Sequence, residues 1–272
     1  MNKALILFGI FLGLISLEVH SQDNALRIPL TSPNQPGRLK VHVFSGIVHV
    51  KGCSRNDVMV RYEALRPDKQ KRDVVDVGNG LKKLTTTGIS LEAREKDNVL
   101  SLESDHRSKP VRVMIEVPFE FDLEVETHHF GDIEVINVSG EIVLEAHHGK
   151  IDASGIAGSM VANTWHGHIV ADFDKIYPDM PLAFTTYHGK IDIQLPPEAR
   201  FNLKAQSVKG DVLTGFDIDI LRNKPQVAET NKDGTYKIAL TDWVRGRVNG
   251  GGPELHAKTQ NANIYIRKKQ RF

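Results

Sequence analysis

From Leu39 onward, apolar residues recur at every second position. That is the period of a strand with one face in a core and the other in water. Leu39, Val41 and Val43 predict a first strand, Ser45-Gly46 a turn, and Val48 and Val50, on either side of His49, a second. Val58, Val60 and Tyr62 predict another. Pro67 to Asp76 is highly charged and reads as a solvated loop. Ile89 to Ala93 and Val99 to Glu103 alternate again around the turn Lys96-Asp97-Asn98. Val111 to Pro118 is the clearest strand, and Pro118, with no N–H to give a ladder, stops it. No window after the first residues has a helical 3.6-residue period, so the chain reads as all-β.

Past Pro118 the alternation becomes a repeat. Units aligned on one glycine are Glu126 to Ile133, Glu145 to Ile151, Asn163 to Ile169, Thr185 to Ile191 and Gln206 to Val212. A last unit, Lys258 to Ile264, has Ala262 in the glycine's place. The glycines fall at 131, 149, 167, 189 and 210, in steps of 18, 18, 22 and 21 residues. Two residues after the turn stands Ile133, Ile151, Ile169, Ile191, Val212 or Ile264, a β-branched core position. Three residues before the glycine stands Ala146, Thr164, Thr186 or Ser207, small enough for an inward corner. Glu145, Asn163, Thr185 and Gln206, one step earlier, are polar and face water. The glycine is expected to supply a turn with positive φ.

One strand–turn–strand unit cannot bury its own apolar face. Stacking successive units does so, with neighbouring backbones about 4.8 Å apart. The period therefore predicts a β-solenoid with coils of 18–22 residues. A leucine-rich repeat would need a Leu-x-x-Leu-x-Leu frame, which is absent, and a β-sandwich is the alternative. Asp172 to Pro181, with Tyr177-Pro178-Asp179, is expected to loop out of one coil. Phe216 to Gly252 is a larger insertion, in which 226–230 and 235–240 flank Asn231-Lys232-Asp233-Gly234 as a β-hairpin.

Ahead of the strands, Met1-Asn2-Lys3, the apolar run Ala4 to Leu17 and Val19-His20-Ser21 have the order of a secretory leader, cut between Ser21 and Gln22. The run is short of the roughly 20 apolar residues a spanning helix needs. Residues 1–21 are thus read as a signal peptide and 22–272 as one domain, with N-terminal strands over 22–110 and the glycine-turn array over 111–272. The expected location is the periplasm, the cell surface or the medium. With 35 basic and 34 acidic residues, no global field recruits nucleic acid. Cys53 is the one cysteine, so no internal disulfide forms, and no Cys-His-Asn pattern makes it a nucleophile.

Histidine changes this picture. Stacked coils put His148, His166 and His188 in one row and His147, Trp165 and Tyr187 in the next, with His168 flanking the turn. One account is a turn residue that tolerates unusual backbone angles, multiplied by duplication. Zinc, with three or four ligands, is a weaker alternative through His148, His166 and His188, since carboxylates near that row are sparse. A third account is recognition: Trp165 and Tyr187 stack on sugar faces while imidazoles and Asn163 or Thr185 reach hydroxyls. Clustered imidazoles gain repelling charge near about pH 6, so such binding is expected to be pH-sensitive. Asp132, Asp152, Asp192 and Asp211 read as ordinary solvated acids at unit edges. No Ser-His-Asp motif, phosphate loop or nucleotide fingerprint is present, and no cofactor is implied.

Three stretches carry a family resemblance: VHVKGCSRNDVMVRYEA from Val48, the array that opens VRVMIEVPFEFDLEVETHHFGDI at Val111, and VNGGGPELHAKTQNANIYIRK from Val248. Together they resemble the DUF4097 family of bacterial β-strand repeat proteins, provisionally classed as adhesins. The resemblance implies a single-stranded right-handed β-helix, exported or membrane-tethered, with no established catalytic residues. The residue before the turn glycine is commonly Asn or Ser in such repeats, and here it is His148, His166 and His188. The expected function is a non-catalytic cell-envelope scaffold or adhesin-like module that presents His147, His148, Trp165, His166, His168, Tyr187 and His188 to a glycan or envelope protein. The alternative is a carbohydrate-active or metal-dependent enzyme using the same face. Uncapped solenoid ends would also let copies self-associate.

Overall fold

The computed structural model describes residues 25–65, 74–78, 81–84, 89–105, 109–129, 131–221 and 243–270. The leader, most of the charged 67–76 stretch and the hairpin expected over 226–240 lie outside these residues. The described chain is all-β, without helices, and solenoid-like. Val74 to Asp76, expected in a loop, lie in the strand Val74–Gly78, which pairs with Leu81–Leu84 as a separate two-stranded sheet.

Two parallel ladders enclose the core. The first stacks Val99–Ser104, residues 37–45, Phe121–His129, Ser139–Ala146, residues 157–164, Leu182–Thr186, Glu254–Thr259 and Phe201–Ser207. The second stacks Val111–Pro118, residues 46–53, Ile133–Ile136, residues 151–154, Ile169–Lys175, Ile191–Leu195, Ile264–Lys268 and Val212–Thr214. The strands Gly37–Cys53 and Ile151–Thr164 run through a corner and take part in both ladders, which joins them into one 19-stranded sheet. Parallel pairing of each coil with its neighbours in the stack is what a solenoid requires and a hairpin-built sandwich lacks.

Register fixes the interior. Val48, Ile133, Ile151, Ile169, Ile191, Ile264 and Val212 pair in one unbroken column. All but half-buried Val212 are shut off from solvent. Facing them, Leu123, Ile142, Met160, Leu182 and Leu255 line the inner face of the first ladder, and Phe173 and Phe184 meet edge to face at 6.3 Å. Phe173 lies where a loop was expected to begin. The alternation Ile169, Ala171, Phe173 instead carries the strand to Lys175, because a buried phenylalanine outweighs the acidic residues on either side of it.

The stacking order departs from the chain order at both ends. Residues 37–53 slot between 99–118 and 121–136. Residues 254–268 slot between 182–195 and 201–214. The degenerate unit with Ala262 therefore follows the Gly189 unit, and the Gly210 unit comes after it.

Antiparallel strands cover the ladder ends. Leu91–Lys96 lies on Val99–Ser104 through a tight turn in which Asp97 and Asn98 both have positive φ. Asp57–Ala64, itself covered by Ala25–Pro29, lies on Val111–Pro118. At the far end Val244–Val248 and Ile218–Ile220 close the first ladder. The charged run Glu92, Arg94, Glu95 and Lys96 suits an edge that must not recruit another strand.

The glycine column is real, but its cause is not the expected one. None of Gly131, Gly149, Gly167, Gly189 or Gly210 has positive φ. A Cβ on Gly167 would sit 1.8 Å from the Gly149 carbonyl oxygen, and one on Gly189 would sit 1.7 Å from that of Gly167. These glycines are needed because coil backbones touch there. Positive φ occurs at the opposite corner, at Asn137 and Gly155.

Candidate functional site

The glycine turn is built on threonine. Gly167 N–H donates to Thr164 Oγ1 at 3.1 Å, and Thr164 Oγ1 donates to the Gly149 carbonyl of the coil before at 2.9 Å. Thr186 repeats this with Gly189 N–H and the Gly167 carbonyl, and Ser207 with Gly210 N–H and the Ala262 carbonyl. Thr259 bonds the Gly189 carbonyl at 2.9 Å. In the first unit, one residue longer, Thr127 donates to its own Gly131 carbonyl, so the next coil can carry Ala146 at this level. Past the first unit each hydroxyl thus ties a turn to the coil before it, and the two residues between the hydroxyl residue and the glycine are pushed outward.

Those two residues make the rim. His129, His148, His166 and His188 stack in sequence with ring centroids 5.9, 5.1 and 4.9 Å apart. The last pair is almost parallel, at 5°. Asn261 Nδ2 lies 2.9 Å from His188 Nδ1 and continues the row. Beside it, Trp165 and Tyr187 stack at 5.2 Å and 8°, and His128 and His147 meet at 4.5 Å. Trp165 is 57% and Tyr187 42% exposed. Among the described residues no histidine has positive φ, so tolerance of unusual angles does not explain the residue on this rim. The rings sit at a point of closest coil approach, where flat side chains stack.

Of the expected residues, His147, His148, Trp165, His166, Tyr187 and His188 come together on this rim. His168 stands on the other side of the glycine, where its Nδ1 accepts the Lys190 backbone N–H at 3.0 Å. Asp132 does the same for Lys150 and Asn263 for Asp211, so that column splices coils together.

Two residues went unread in the sequence. His42 and Phe44 extend the rim, with rings 5.2 and 5.7 Å from His128. Their outward positions follow from the Leu39, Val41, Val43 alternation. Their neighbours do not, because the strand they pair with begins at Phe121.

Electrostatics on the rim oppose charge. Desolvation, then His188 and His148, lower the pKa of His166 from its ordinary value. Burial, then His147, lower that of His128, while Glu126 pulls the other way.

Two of the described cavities are lined by none of the rim residues, and a third adjoins the rim at His42. One of about 850 Å³ adjoins Asp172, Gln194, Leu213 and Lys269. Another of about 550 Å³ is lined by Tyr177, Pro178, Pro196 and Pro253. A third, of about 530 Å³, runs along the first ladder past Lys40, His42, Glu103, Glu124, Glu126 and Glu145. Among the described residues no helix is long and apolar enough to cross a membrane. Cys53 is a half-buried free thiol whose Sγ lies 3.6 Å from the Val117 carbonyl.

A family model described as Toastrack DUF4097 matches residues 16–242. The match ends before residues 254–268, although these form an internal rung, next to the last, of both ladders. Two solved structures resemble the chain. One, from Clostridium sporogenes ATCC 15579 and provisionally described as a cell adhesion protein, is 9% identical, with a TM-score of 0.42 over 91% of this chain and 100% of the other. The second, from Bacteroides fragilis NCTC 9343 and provisionally described as an adhesin, is 10% identical, with a TM-score of 0.33 over 90% of this chain and 96% of the other. No curated protein matches the chain.

Proposed function

The chain belongs to the Toastrack DUF4097 family, and from that premise we propose that it is an exported, non-catalytic, adhesin-like binding module of the cell envelope. One observation carries the reading: aromatic and imidazole rings stand exposed in two stacked rows on a rigid parallel ladder. Such a surface offers π-faces and hydrogen-bonding edges at a spacing that the backbone sets. Sugar rings are its natural complement, because their C–H faces stack on Trp and Tyr while their hydroxyls reach imidazole nitrogens. The Trp165 and Tyr187 stretch of the rim is an open ladder exposed to solvent, which supports binding. The scaffold in this reading is a single-stranded β-helix of right hand, the hand that parallel crossovers take in about 98% of cases. Export rests on the leader-like residues 1–21.

The test is a glycan array, with isolated envelope fractions alongside, probed with the wild type and with Trp165→Ala and Tyr187→Ala. The expected result is saturable binding that weakens at least tenfold in either variant and falls off below about pH 6 as imidazoles charge. Absence of binding, or binding indifferent to both substitutions, overturns the reading.

A further inference from the structure

We infer that His42, Glu126 and His128 form a binding site for a divalent transition-metal ion of the zinc class. One ligand atom from each lies within 4.8 Å of the others. His128 Nε2 is 3.0 Å from Glu126 Oε1, and His42 Nδ1 is 4.0 Å from Glu126 Oε2. Donors around a tetrahedral ion with bonds of about 2.0–2.1 Å stand roughly 3.3–3.5 Å apart, so small rotations of these side chains complete a three-donor face.

The backbone imposes the arrangement. His42 and Glu126 are register partners on adjacent parallel strands. His128 follows Glu126 by two residues and so points to the same outward side. Two imidazoles and one carboxylate are the donor set that zinc prefers over calcium or magnesium. Glu126 and His128 are half-buried, while His42 is exposed and leaves one side open. That side faces the groove that Glu103, Glu124 and Glu145 share with His42 and Glu126; Lys40 lines it too and pairs with Glu124 at 2.8 Å, which leaves Glu103 and Glu145 to add negative charge beside the site. The stacked row offers no such donor set. His148, His166 and His188 lie face to face, and no group containing them brings three ligand atoms together among the described residues.

The site shares the rim through His128 but contains neither Trp165 nor Tyr187, and metal binding is read without any glycan, so its test is independent of glycan binding. Tag-free, metal-stripped full-length protein is titrated with Zn²⁺ by calorimetry and with Co²⁺ by visible absorbance. The wild type is expected to bind one ion per chain, with the ligand-field bands of a low-coordinate Co²⁺ site. His42→Ala and Glu126→Gln should each weaken binding at least tenfold while keeping the wild-type circular dichroism spectrum. The triple variant His148→Asn, His166→Asn, His188→Asn should bind as the wild type does. Both single substitutions lie on the outward face; should one of them unfold the chain, the other decides. No binding by the wild type, binding that survives a folded His42→Ala or Glu126→Gln variant, or binding lost in the triple variant overturns the inference.

Discussion

Thr186 holds two backbone groups that water cannot reach. Its hydroxyl accepts from Gly189 N–H and donates to the Gly167 carbonyl, and all three residues are buried. Thr186→Val keeps the shape and strands both groups, so it is expected to cost about 2–4 kcal/mol, read from the denaturant midpoint at unchanged slope. Thr186→Ser keeps both bonds and loses one methyl, for about 1 kcal/mol. At this scale the sequence showed which positions matter better than why. A small residue three before the glycine was legible as an inward corner; its hydrogen bonds to the previous coil were not, because they depend on which coil that is. The glycine was legible as a preferred residue, replaced in its column by Ala262. Its cause was misread because a turn with φ > 0 and a backbone contact both select glycine, and only the neighbour's carbonyl tells them apart.

The stacked histidines behave as an element, and their response to pH belongs to the row. His166 has His148 and His188 on either side, and all three influences on it hold its pKa below the ordinary imidazole value. The unfolded chain therefore binds a proton first as pH falls below about 6.5, and the folded chain follows only at its lower value. Stability contributed by the neutral ring is complete above the unfolded value and is lost as pH falls through the folded one. Asp57, Glu95 and Glu116, whose pKa values are also lowered, lose theirs in a separate window below the usual carboxylate range. Thermal midpoints should hold steady from pH 8 to about 6.5, then fall toward pH 5, and His166→Asn should flatten that fall. An equal fall in the variant would mean that the loss arises elsewhere. The row itself was legible, since the period of the repeat sets it. Its extension through His42 and Phe44 was hidden by the distance along the chain between strands that touch.

At the scale of the whole molecule, residues 254–268 are the part most easily misjudged. They look like a degenerate last repeat and lie wholly beyond the family match, yet they pair on both sides within both ladders. A chain ending at Pro253 leaves 182–195 and 201–214 without a shared neighbour and exposes the inner positions of both. It is expected to lose its cooperative melt, and a synthetic peptide spanning 249–270 should restore one when added. A melt as sharp as that of the full chain would show the inserted coil to be dispensable. The solenoid-like class was legible from the spacing of the glycines, and the order of its coils was not, because register between equivalent repeats is degenerate: Ile264 and Val212 both stand two residues past a turn, and in the fold Ile264 is the partner of Ile191 while Val212 pairs with Ile264. On a ribosome, residue 268 leaves the exit tunnel long after residue 214. Until then the rung between 182–195 and 201–214 is missing. Whatever machinery receives such a nascent polypeptide meets it with the open edge of 182–195 still waiting for a partner.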